Sequence, residues 1–239
     1  MDRHDGRQAN ELRKVEFKQG ICKNTAGSVL SVCGNTEVIC AVCVVPGVPG
    51  WMKSQGVEGG WLTSEYSMLP GSTHTRNRRE NKSGPSGRSS EIQRLIGRSL
   101  RSVVDLKKIG ENTIYVDCDV LNADGGTRCA SINGASTAMQ LTFGKMLTEG
   151  KISENPMAKS VAAISVGICQ SQPLLDLCYA EDSAAEVDMN VVMSSDGSLI
   201  EVQGTAEGKT FSRAELNEML DLAEKGINEI FELQKSLLK

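Results

Sequence analysis

The 239-residue chain is predicted to have a mixed α and β fold of the α+β class, with two similar β–α halves packing a mixed sheet against helices. Three observations predict it. Short runs rich in Val, Ile and Cys alternate with turn residues, which is typical of strands. Two longer stretches carry apolar residues at helical spacing. Strands followed by a helix occur in each half, and the length suits a single domain spanning residues 1–239.

In the first half, strands are predicted at KVEF, SVLSVCG and TEVICAVCVV. The stretches at 45–60 and 74–90 are predicted as loops because glycine and proline interrupt them. From Glu91 an apolar stripe recurs at helical spacing, formed by Ile92, Leu95, Ile96, Leu100 and Val103. A strand at 113–122 then leads through a glycine turn into a helix at 129–148.

The second half repeats this order. VAAISVGIC and EVDMNVVM are predicted strands, and SSDGS predicts a hairpin turn before LIEVQG. Ser212 and Glu215 form an S-x-x-E capping box that begins a final helix. Gln234 interrupts the apolar stripe of that helix, so its last turn is expected to be partly exposed.

Charge is distributed unevenly along the chain. The net charge is −4 and the pI is near 5.4. Residues 76–108 nevertheless carry ten basic and three acidic side chains, a net charge of +7. The basic residues are Arg76, Arg78, Arg79, Lys82, Arg88, Arg94, Arg98, Arg101, Lys107 and Lys108. Such a stretch on an acidic protein is typical of a polyanion-binding face, although a solvated basic helix would give the same pattern.

Other features exclude whole classes of protein. No apolar run approaches the ~18 residues of a membrane span, and the start MDRHDGRQANELR is too polar for a secretory signal. A cytoplasmic protein with no membrane partner is therefore expected. Eight cysteines are too sparse for a disulfide scaffold, and strand alternation makes Cys40 and Cys43 core thiols rather than metal ligands. Aromatic residues make up 4% of the chain, so stacking on aromatic platforms is not the expected main mode of nucleic-acid binding.

The glycine turn NADGGTR is the first candidate site. Gly126, Thr127 and Arg128 would offer backbone N–H groups, a hydroxyl and a guanidinium at a helix start, which suits an oxyanion. Arg88, at the start of the basic helix, would supply a second guanidinium. The alternative is a tight turn at the two glycines with Arg128 paired to an acid. A Walker-type loop is excluded, because no lysine follows the glycines at the required spacing.

The acidic stretch DLCYAEDSAAEVDMN holds the second candidate site. In one straight strand, Asp182 and Asp188 would lie about 20 Å apart, so a shared function requires that DSAAE curl into a turn or short helix. Converging carboxylates would hold Mg²⁺, or one would act as a general acid with a raised pKa. An acid-rich loop without a ligand is the alternative. A phosphate clamp, carboxylates and a basic track together indicate phosphoryl transfer on a polyanion.

These motifs closely resemble those of the bacterial ribonuclease PH family. The resemblance rests on SGRSSEIQRLIGRSLRSVVDL, DCDVLNADGGTR, WLTSEYSMLPGSTHTRNRRE, LDLCYAEDSAAEVDMNVVM and EVQGTAEG, in the family's order. The start RHDGR and the closing FSRAELNEMLDLAEKGI extend it over essentially the whole chain. The family usually has the sequence GRTQ where this chain has Gly87-Arg88-Ser89-Ser90. Both serines are small and polar, so the difference leaves phosphate binding intact.

The resemblance implies a ribonuclease PH-like fold and a phosphate-dependent 3′-5′ exoribonuclease. Such an enzyme trims tRNA precursors and other RNA and releases nucleoside 5′-diphosphates. Inorganic phosphate is the implied co-substrate, bound by Arg88, Gly126, Thr127 and Arg128. Asp182 and Asp188 are the implied catalytic pair and the ligands of Mg²⁺ or another divalent cation.

The partners implied are RNA, especially tRNA 3′ ends, and further copies of the chain in a homohexameric ring, a trimer of dimers. DNA is not expected. RNA binding is expected at Arg76, Arg78 and Arg79, and at Arg94 on the basic helix. Two alternatives are a non-catalytic RNA-binding subunit of an exosome-like ring and a two-metal hydrolytic nuclease. The first would lack the phosphate arginines or the acid pair, and the second would need more clustered acids.

Overall fold

Two β-sheets lie on either side of one long helix in the computed structural model of the chain, which describes residues 3–80, 84–207 and 209–238. The strands are β1 (Val15–Gln19), β2 (Gly27–Cys33), β3 (Thr36–Pro46), β4 (Trp61–Met68), β5 (Asn112–Asn122), β6 (Val161–Cys169), β7 (Gln172–Leu175), β8 (Val187–Ser194) and β9 (Leu199–Ala206). The helices are α1 (Gly50–Gln55), α2 (Gly87–Arg101), α3 (Thr127–Thr148), α4 (Tyr179–Asp182) and α5 (Arg213–Leu237), and a short 3-10 helix spans Leu106–Ile109.

The first sheet has five strands in the order β1-β2-β3-β5-β4. Its neighbours run antiparallel except β4 and β5, which are parallel, so this sheet is mixed. The second sheet has four antiparallel strands in the order β7-β6-β8-β9. The α+β class is confirmed, but the one mixed sheet of the prediction is in fact two sheets.

Helix α3 is buried along most of its length because both sheets cover it. Small residues allow the close approach: a Cβ on Gly134 would lie 2.6 Å from the Sγ of Cys40 in β3. On the other side, Asn133 donates from Nδ2 to the carbonyl of Ala163 in β6 (3.0 Å) and accepts from its N–H (2.7 Å). One helix therefore joins the two sheets through a shared core and a buried polar clamp.

The two other long helices cover outer faces as their sequence patterns predict. Helix α2 buries Ile92, Leu95, Ile96 and Leu100 against β4 and α3, whereas Val103 lies just beyond its end. Helix α5 buries Met219, Ala223, Ile227 and Ile230 against the second sheet. Within the described residues, no helix combines the length and the apolar character that crossing a bilayer requires.

Several sequence predictions are corrected by the structure. Helix α1 and the end of β3 lie in the predicted loop at 45–60, and the patterns did not identify β4 or β7. Helix α2 begins at Gly87 rather than Glu91, because the Ser86 hydroxyl caps it by accepting from the Ser89 N–H (3.1 Å).

Two single residues qualify the sequence predictions. The last turn of α5 is partly exposed, as predicted, but Gln234 itself is fully buried, since its Nε2 donates to the carbonyls of Asn133 and Val161, both at 3.1 Å. Cys40 lies in the core, but Cys43 points to the opposite face of β3 and is only half-buried. Alternation along the strand, which was predicted, is the reason that the two thiols are separated.

Candidate active site

Three of the four predicted phosphate residues and one predicted carboxylate line the same cleft, with a volume of about 530 Å³. These residues are Arg88, Gly126, Thr127 and Asp182. The wall also includes Met68, Thr73, His74, Thr75, Asn77, Ala123, Gly125 and Tyr179. Residues from both halves of the sequence therefore line one cleft.

The glycine turn brings the two parts of the cleft together. Gly125 and Gly126 have φ of +75° and +67°, a region that favours glycine. A Cβ on Gly125 would lie 2.7 Å from the carbonyl carbon of Cys178. The turn therefore packs directly on the backbone where α4 begins, and α4 ends at Asp182. The glycines therefore allow the protein's own backbone to pack closely at this turn, in addition to the close approach expected for a ligand.

Helix α3 begins at this turn, and its N-cap Gly126 and first residue Thr127 both line the cleft. Gly126 occupies the N-cap position, and among the described residues no side chain caps the helix. Free N–H groups and the helix dipole favour an anion at such a start. The Thr127 hydroxyl lies 2.9 Å from the hydroxyl of buried Tyr66, which fixes its position.

The two predicted phosphate arginines are placed differently. Arg88 is the second residue of α2, is exposed and lines the cleft. Arg128 does not line it, because its Nη1 donates to Glu91 (3.2 Å) and Gln203 (2.7 Å). Arg128 thus forms the ion pair with an acid that was the alternative prediction, and its charge partly offsets the burial that raises the pKa of Asp182.

The acidic stretch curls as a shared function requires. Helix α4 ends at Asp182, and β8 begins at Val187, so Asp188 is the second residue of the strand. Burial raises the pKa of Asp182, and the charges of Arg88 and Arg128 only partly offset this. Burial and the neighbouring Asp182 carboxylate raise the pKa of Asp188 to about 6. The charge of Asp182 thus acts on Asp188, although Asp188 is not among the described residues that line the cleft.

One atom of this pair fits a cation. The Oδ1 of Asp188 is buried and has no hydrogen-bond partner among the described residues. A buried, unpaired carboxylate oxygen is costly unless it is protonated or coordinates a metal. Asp182, which lines the cleft, and the unpaired oxygen of Asp188 would together suit Mg²⁺, which keeps several waters and takes one or two protein carboxylates.

The predicted RNA-binding arginines flank the cleft rather than line it. Arg76, Arg78 and Arg79 are exposed in the segment after β4, whose residues His74 and Asn77 do line the cleft. Arg94 is exposed on α2 and lies outside the cleft wall. Lys82, counted among the basic residues, falls outside the described part of the chain.

Sequence reasoning missed a set of buried arginines behind the cleft. The Nε and Nη2 of Arg3 each donate to Glu181 at 2.7 Å. The Nε and Nη2 of Arg13 donate to the carboxylate of Asp176 at 2.9 and 2.7 Å, and its Nη1 donates to the carbonyl of Asp124. One signal was available in the sequence. Asp176 and Glu181 lie in a stretch with no neighbouring base, which indicates that basic partners such as Arg3 and Arg13 must come from elsewhere in the chain.

Known proteins are similar to this chain in sequence. Residues 11–143 match domain 1 of the 3′ exoribonuclease family, and residues 159–226 match its domain 2. The chain is 55% identical to ribonuclease PH of Bacillus subtilis (strain 168) over 238 residues, 99% of this chain and 96% of that protein. It is 54% identical to ribonuclease PH of Bacillus pumilus (strain SAFR-032) over 237 residues, 98% of this chain and 97% of that protein.

Solved structures share the fold. Rice (Oryza sativa) Rrp46 superposes with a TM-score of 0.80 at 20% identity, covering 99% of this chain and all of that one. A chain of the Archaeoglobus fulgidus exosome, with RNA bound to the active site, superposes with a TM-score of 0.81 at 24% identity, covering 97% and 92% of the two chains. At these identities the likeness concerns the fold alone. Sequence and fold together show that the chain belongs to the 3′ exoribonuclease family, as its motifs' resemblance to bacterial ribonuclease PH predicted.

Proposed function

We propose that this chain is a phosphate-dependent 3′-5′ exoribonuclease that shortens RNA from its 3′ end and releases nucleoside 5′-diphosphates. The observation that carries the proposal is a single cleft where Arg88, the start of α3 and Asp182 meet. A guanidinium and a helix start stabilise an anion, and a carboxyl group with a raised pKa can serve a leaving oxygen. Attack by phosphate on a phosphodiester needs both a site that stabilises the anion and a group that serves the leaving oxygen.

Inorganic phosphate is the co-substrate, held by Arg88, the Thr127 hydroxyl and the N–H groups that follow Gly126. A phosphate oxygen attacks the phosphorus that joins the last two nucleotides, and the bond from that phosphorus to the penultimate 3′-oxygen breaks. Arg88 offsets negative charge on the incoming phosphate and on the reacting phosphoryl group. Arg128 adds positive charge from beside the cleft.

The two aspartates serve the leaving oxygen and a cation. Asp182 either donates a proton to the departing 3′-oxygen, a role that its raised pKa supports, or positions that oxygen through a cation that it would bind as a carboxylate. Asp188 would be a ligand of Mg²⁺ or another divalent cation in both cases, and its unpaired Oδ1 supports this. When bound, such a cation neutralises charge on the phosphodiester.

RNA rather than DNA is the proposed polymer, bound through its backbone by Arg76, Arg78 and Arg79 near the cleft and by Arg94 on α2. The exposure of all four side chains supports this role. The 3′ ends of tRNA precursors are the proposed substrate, and a homohexameric ring, a trimer of dimers, is the proposed assembly. Both come from the motif resemblance to the ribonuclease PH family.

We infer that residues 1–239 fold as one domain in the cytoplasm. Contacts of α3 with both sheets support one folding unit, because Val161, Ala163 and Val192 of the second sheet belong to the same apolar core as the first sheet, while α5 and the other face of the second sheet form a further cluster. All eight cysteines are free thiols, which suits a reducing compartment. The alternative, a non-catalytic subunit of an exosome-like ring, is disfavoured because Arg88 and Asp182 are both retained in one cleft.

The products of RNA degradation test the proposed function. A 3′-labelled RNA is incubated with the chain and Mg²⁺, with and without inorganic phosphate, and the released nucleotide is identified. We expect nucleoside diphosphates that appear only when phosphate is present. Monophosphates released without phosphate would instead indicate a hydrolytic nuclease, and intact RNA would indicate a binding subunit.

Removal of the Arg128 guanidinium is expected to weaken phosphate use. In Arg128→Ala we expect the KM for phosphate to rise about 10-fold, because the variant removes a positive charge from beside the cleft that attracts the anion by on the order of 1–2 kcal/mol. Initial rates are measured against phosphate concentration at saturating RNA. Arg98→Ala is the matched control, since Arg98 pairs with Glu201 on the exposed face of α2. An unchanged phosphate dependence in Arg128→Ala would remove Arg128 from the proposed site.

A further inference from the structure

Tyr179 is the most exposed aromatic side chain of the described residues, and the proposed reaction gives it no role. Its exposed fraction is 56%, against 44% for Trp51 and 39% for Tyr115. A solvated tyrosine ring adds little to the core. It nevertheless lies on the wall of the cleft that contains Arg88 and Asp182.

The backbone that carries this ring is firmly held. Tyr179 is the first residue of α4, and its N–H donates to the Oδ1 of Asp124 at 3.2 Å. Gly125 packs beneath it, since a Cβ on Gly125 would lie 2.8 Å from the Tyr179 nitrogen. An exposed ring on an anchored backbone is prepared for a ligand, because little further ordering is needed when the ligand arrives.

Tyr179 also lies beside the reacting groups. Residues three apart on a helix are neighbours on its surface, so Tyr179 and Asp182 lie one turn apart along α4. Among the described residues that line the cleft, Tyr179 is the one with a phenol, phenyl or indole ring. The imidazole of His74 is a smaller ring on the same wall, so Tyr179 offers the larger stacking surface, and it lies adjacent to the candidate acid.

We propose that the Tyr179 ring is a stacking platform for the base of the 3′-terminal nucleotide. This inference rests on the proposed phosphorolysis, in which the terminal nucleoside stays attached through its 5′-oxygen to the attacked phosphorus. Its base therefore remains within one nucleotide of Arg88 and Asp182. Every base has a π-face, so stacking holds the terminal nucleotide without selecting its sequence, as an enzyme that removes successive nucleotides requires.

This platform is compatible with the low aromatic content of the chain. A single ring at the terminal nucleotide positions the end of the RNA, while the exposed arginines around the cleft bind the backbone upstream. The low content argued only against a row of aromatic residues as the main binding mode. One residue at the reacting end leaves that argument intact.

The test compares RNA with and without a terminal base. Phosphorolysis kinetics are measured for an oligoribonucleotide and for the same oligomer ending in an abasic ribose. In Tyr179→Ala we expect the KM for normal RNA to rise roughly 5- to 150-fold, the range that stacking of one base on an aromatic side chain contributes. The KM for the abasic oligomer should change by less than about twofold, because it has no base to stack.

Two further variants separate stacking from disturbance of α4. Tyr179→Phe keeps the ring and should retain the KM of the unchanged chain. Tyr115→Ala removes an exposed tyrosine outside the cleft and should have no effect on either substrate. An equal loss on normal and abasic RNA in Tyr179→Ala would overturn the proposal, since it would show that the change disturbs the site as a whole.

Equilibrium binding of ADP and inorganic phosphate gives a readout that needs no turnover. We expect Tyr179→Ala to weaken ADP binding by the same factor as the KM for normal RNA and to leave phosphate binding unchanged. Equal ADP affinity in Tyr179→Ala and the unchanged chain would refute the platform. If the unchanged chain releases no nucleoside diphosphate from RNA, the proposed function fails, and the ADP comparison still reports on Tyr179 alone.

Discussion

Asp182→Asn is expected to slow phosphorolysis about 10²- to 10⁴-fold, the contribution that a positioned general acid makes. The variant keeps the shape of the side chain but has no proton to give to the leaving 3′-oxygen. Because the proposal places Asp182 at the leaving 3′-oxygen and RNA binding at the exposed arginines, the affinity for RNA should change little. The effect therefore lies in the chemical step.

Single-turnover rates at saturating RNA and phosphate measure that step, and fluorescence anisotropy of labelled RNA measures affinity. Asp221→Asn, an exposed aspartate on α5, is the matched control for loss of a carboxylate. Equal losses in rate and affinity would contradict the role of Asp182, because they would indicate that the substitution disturbs binding rather than proton transfer.

Thermal unfolding gives a separate readout of the cation that Asp182 and Asp188 are proposed to hold. A ligand present at 100 times its Kd stabilises the folded state by about 2.7 kcal/mol, so Mg²⁺ should raise the Tm of the unchanged chain. Asp182→Asn and Asp188→Asn should each reduce this rise, whereas Asp221→Asn should preserve it. A rise of the same size in all four proteins would place the cation elsewhere.

The parts of the site that local sequence predicts are those that depend on neighbouring residues. The need for DSAAE to curl followed from strand geometry alone, and α4 with the turn after it provides that curl. The buried stripe of α2 followed from helical periodicity. The glycine turn before α3 followed from two residues that tolerate positive φ. Each inference uses contacts or torsions within a few positions.

The parts that sequence did not predict depend on partners distant along the chain. Arg128 pairs with Glu91 and Gln203, which are 37 and 75 positions away, so no local pattern indicates where its guanidinium lies. Gln234 looked like an interruption of an apolar stripe because its partners, the carbonyls of Asn133 and Val161, are 101 and 73 positions away. A polar residue on an apolar face shows that a partner is needed without showing which one.

Asp176→Asn is expected to destabilise the fold by about 3–5 kcal/mol, because breaking a buried ion pair leaves the opposite charge unpaired. The carboxylate of Asp176 accepts from the backbone N–H, Nε and Nη2 of Arg13 at 2.7–2.9 Å, and Arg7 lies 3.6 Å away. Asp176 itself is 1% exposed. Its φ is +56°, which asparagine tolerates, so the substitution tests the charge and adds little backbone strain.

Denaturant unfolding at pH 7 measures the loss of unfolding free energy. Glu154→Gln is the control, because Glu154 forms an exposed ion pair with Lys108. A double-mutant cycle with Arg13→Gln should give a coupling energy of about 0.5–3 kcal/mol between the two side chains. An unfolding midpoint that Asp176→Asn leaves unchanged would show that the arginines are neutralised by other groups.

The contribution of Asp176 to the stability of the fold depends on pH with a definite sign. Burial acts to raise the pKa of Asp176, but the hydrogen bonds and charge of Arg13 outweigh burial and hold this pKa below its usual value. A carboxyl group whose folded pKa is lowered stabilises the fold above its unfolded pKa of about 3.9, and that stability is lost as the pH falls through the folded pKa. The stability difference between the chain and Asp176→Asn should therefore be full at neutral pH and shrink in acid.

Loss of the Arg13–Asp176 pair is also expected to lower activity, because the buried arginines contact elements that form the candidate active site. Arg13 holds the Asp124 carbonyl at the glycine turn, and Arg3 holds Glu181, the residue before Asp182. With Arg13 unpaired, the turn and α4 lose a common anchor, so phosphorolysis by the folded fraction of Asp176→Asn should also fall. Arg3 and Arg13, near the start of the chain, thus connect the glycine turn to the helix that carries the candidate acid.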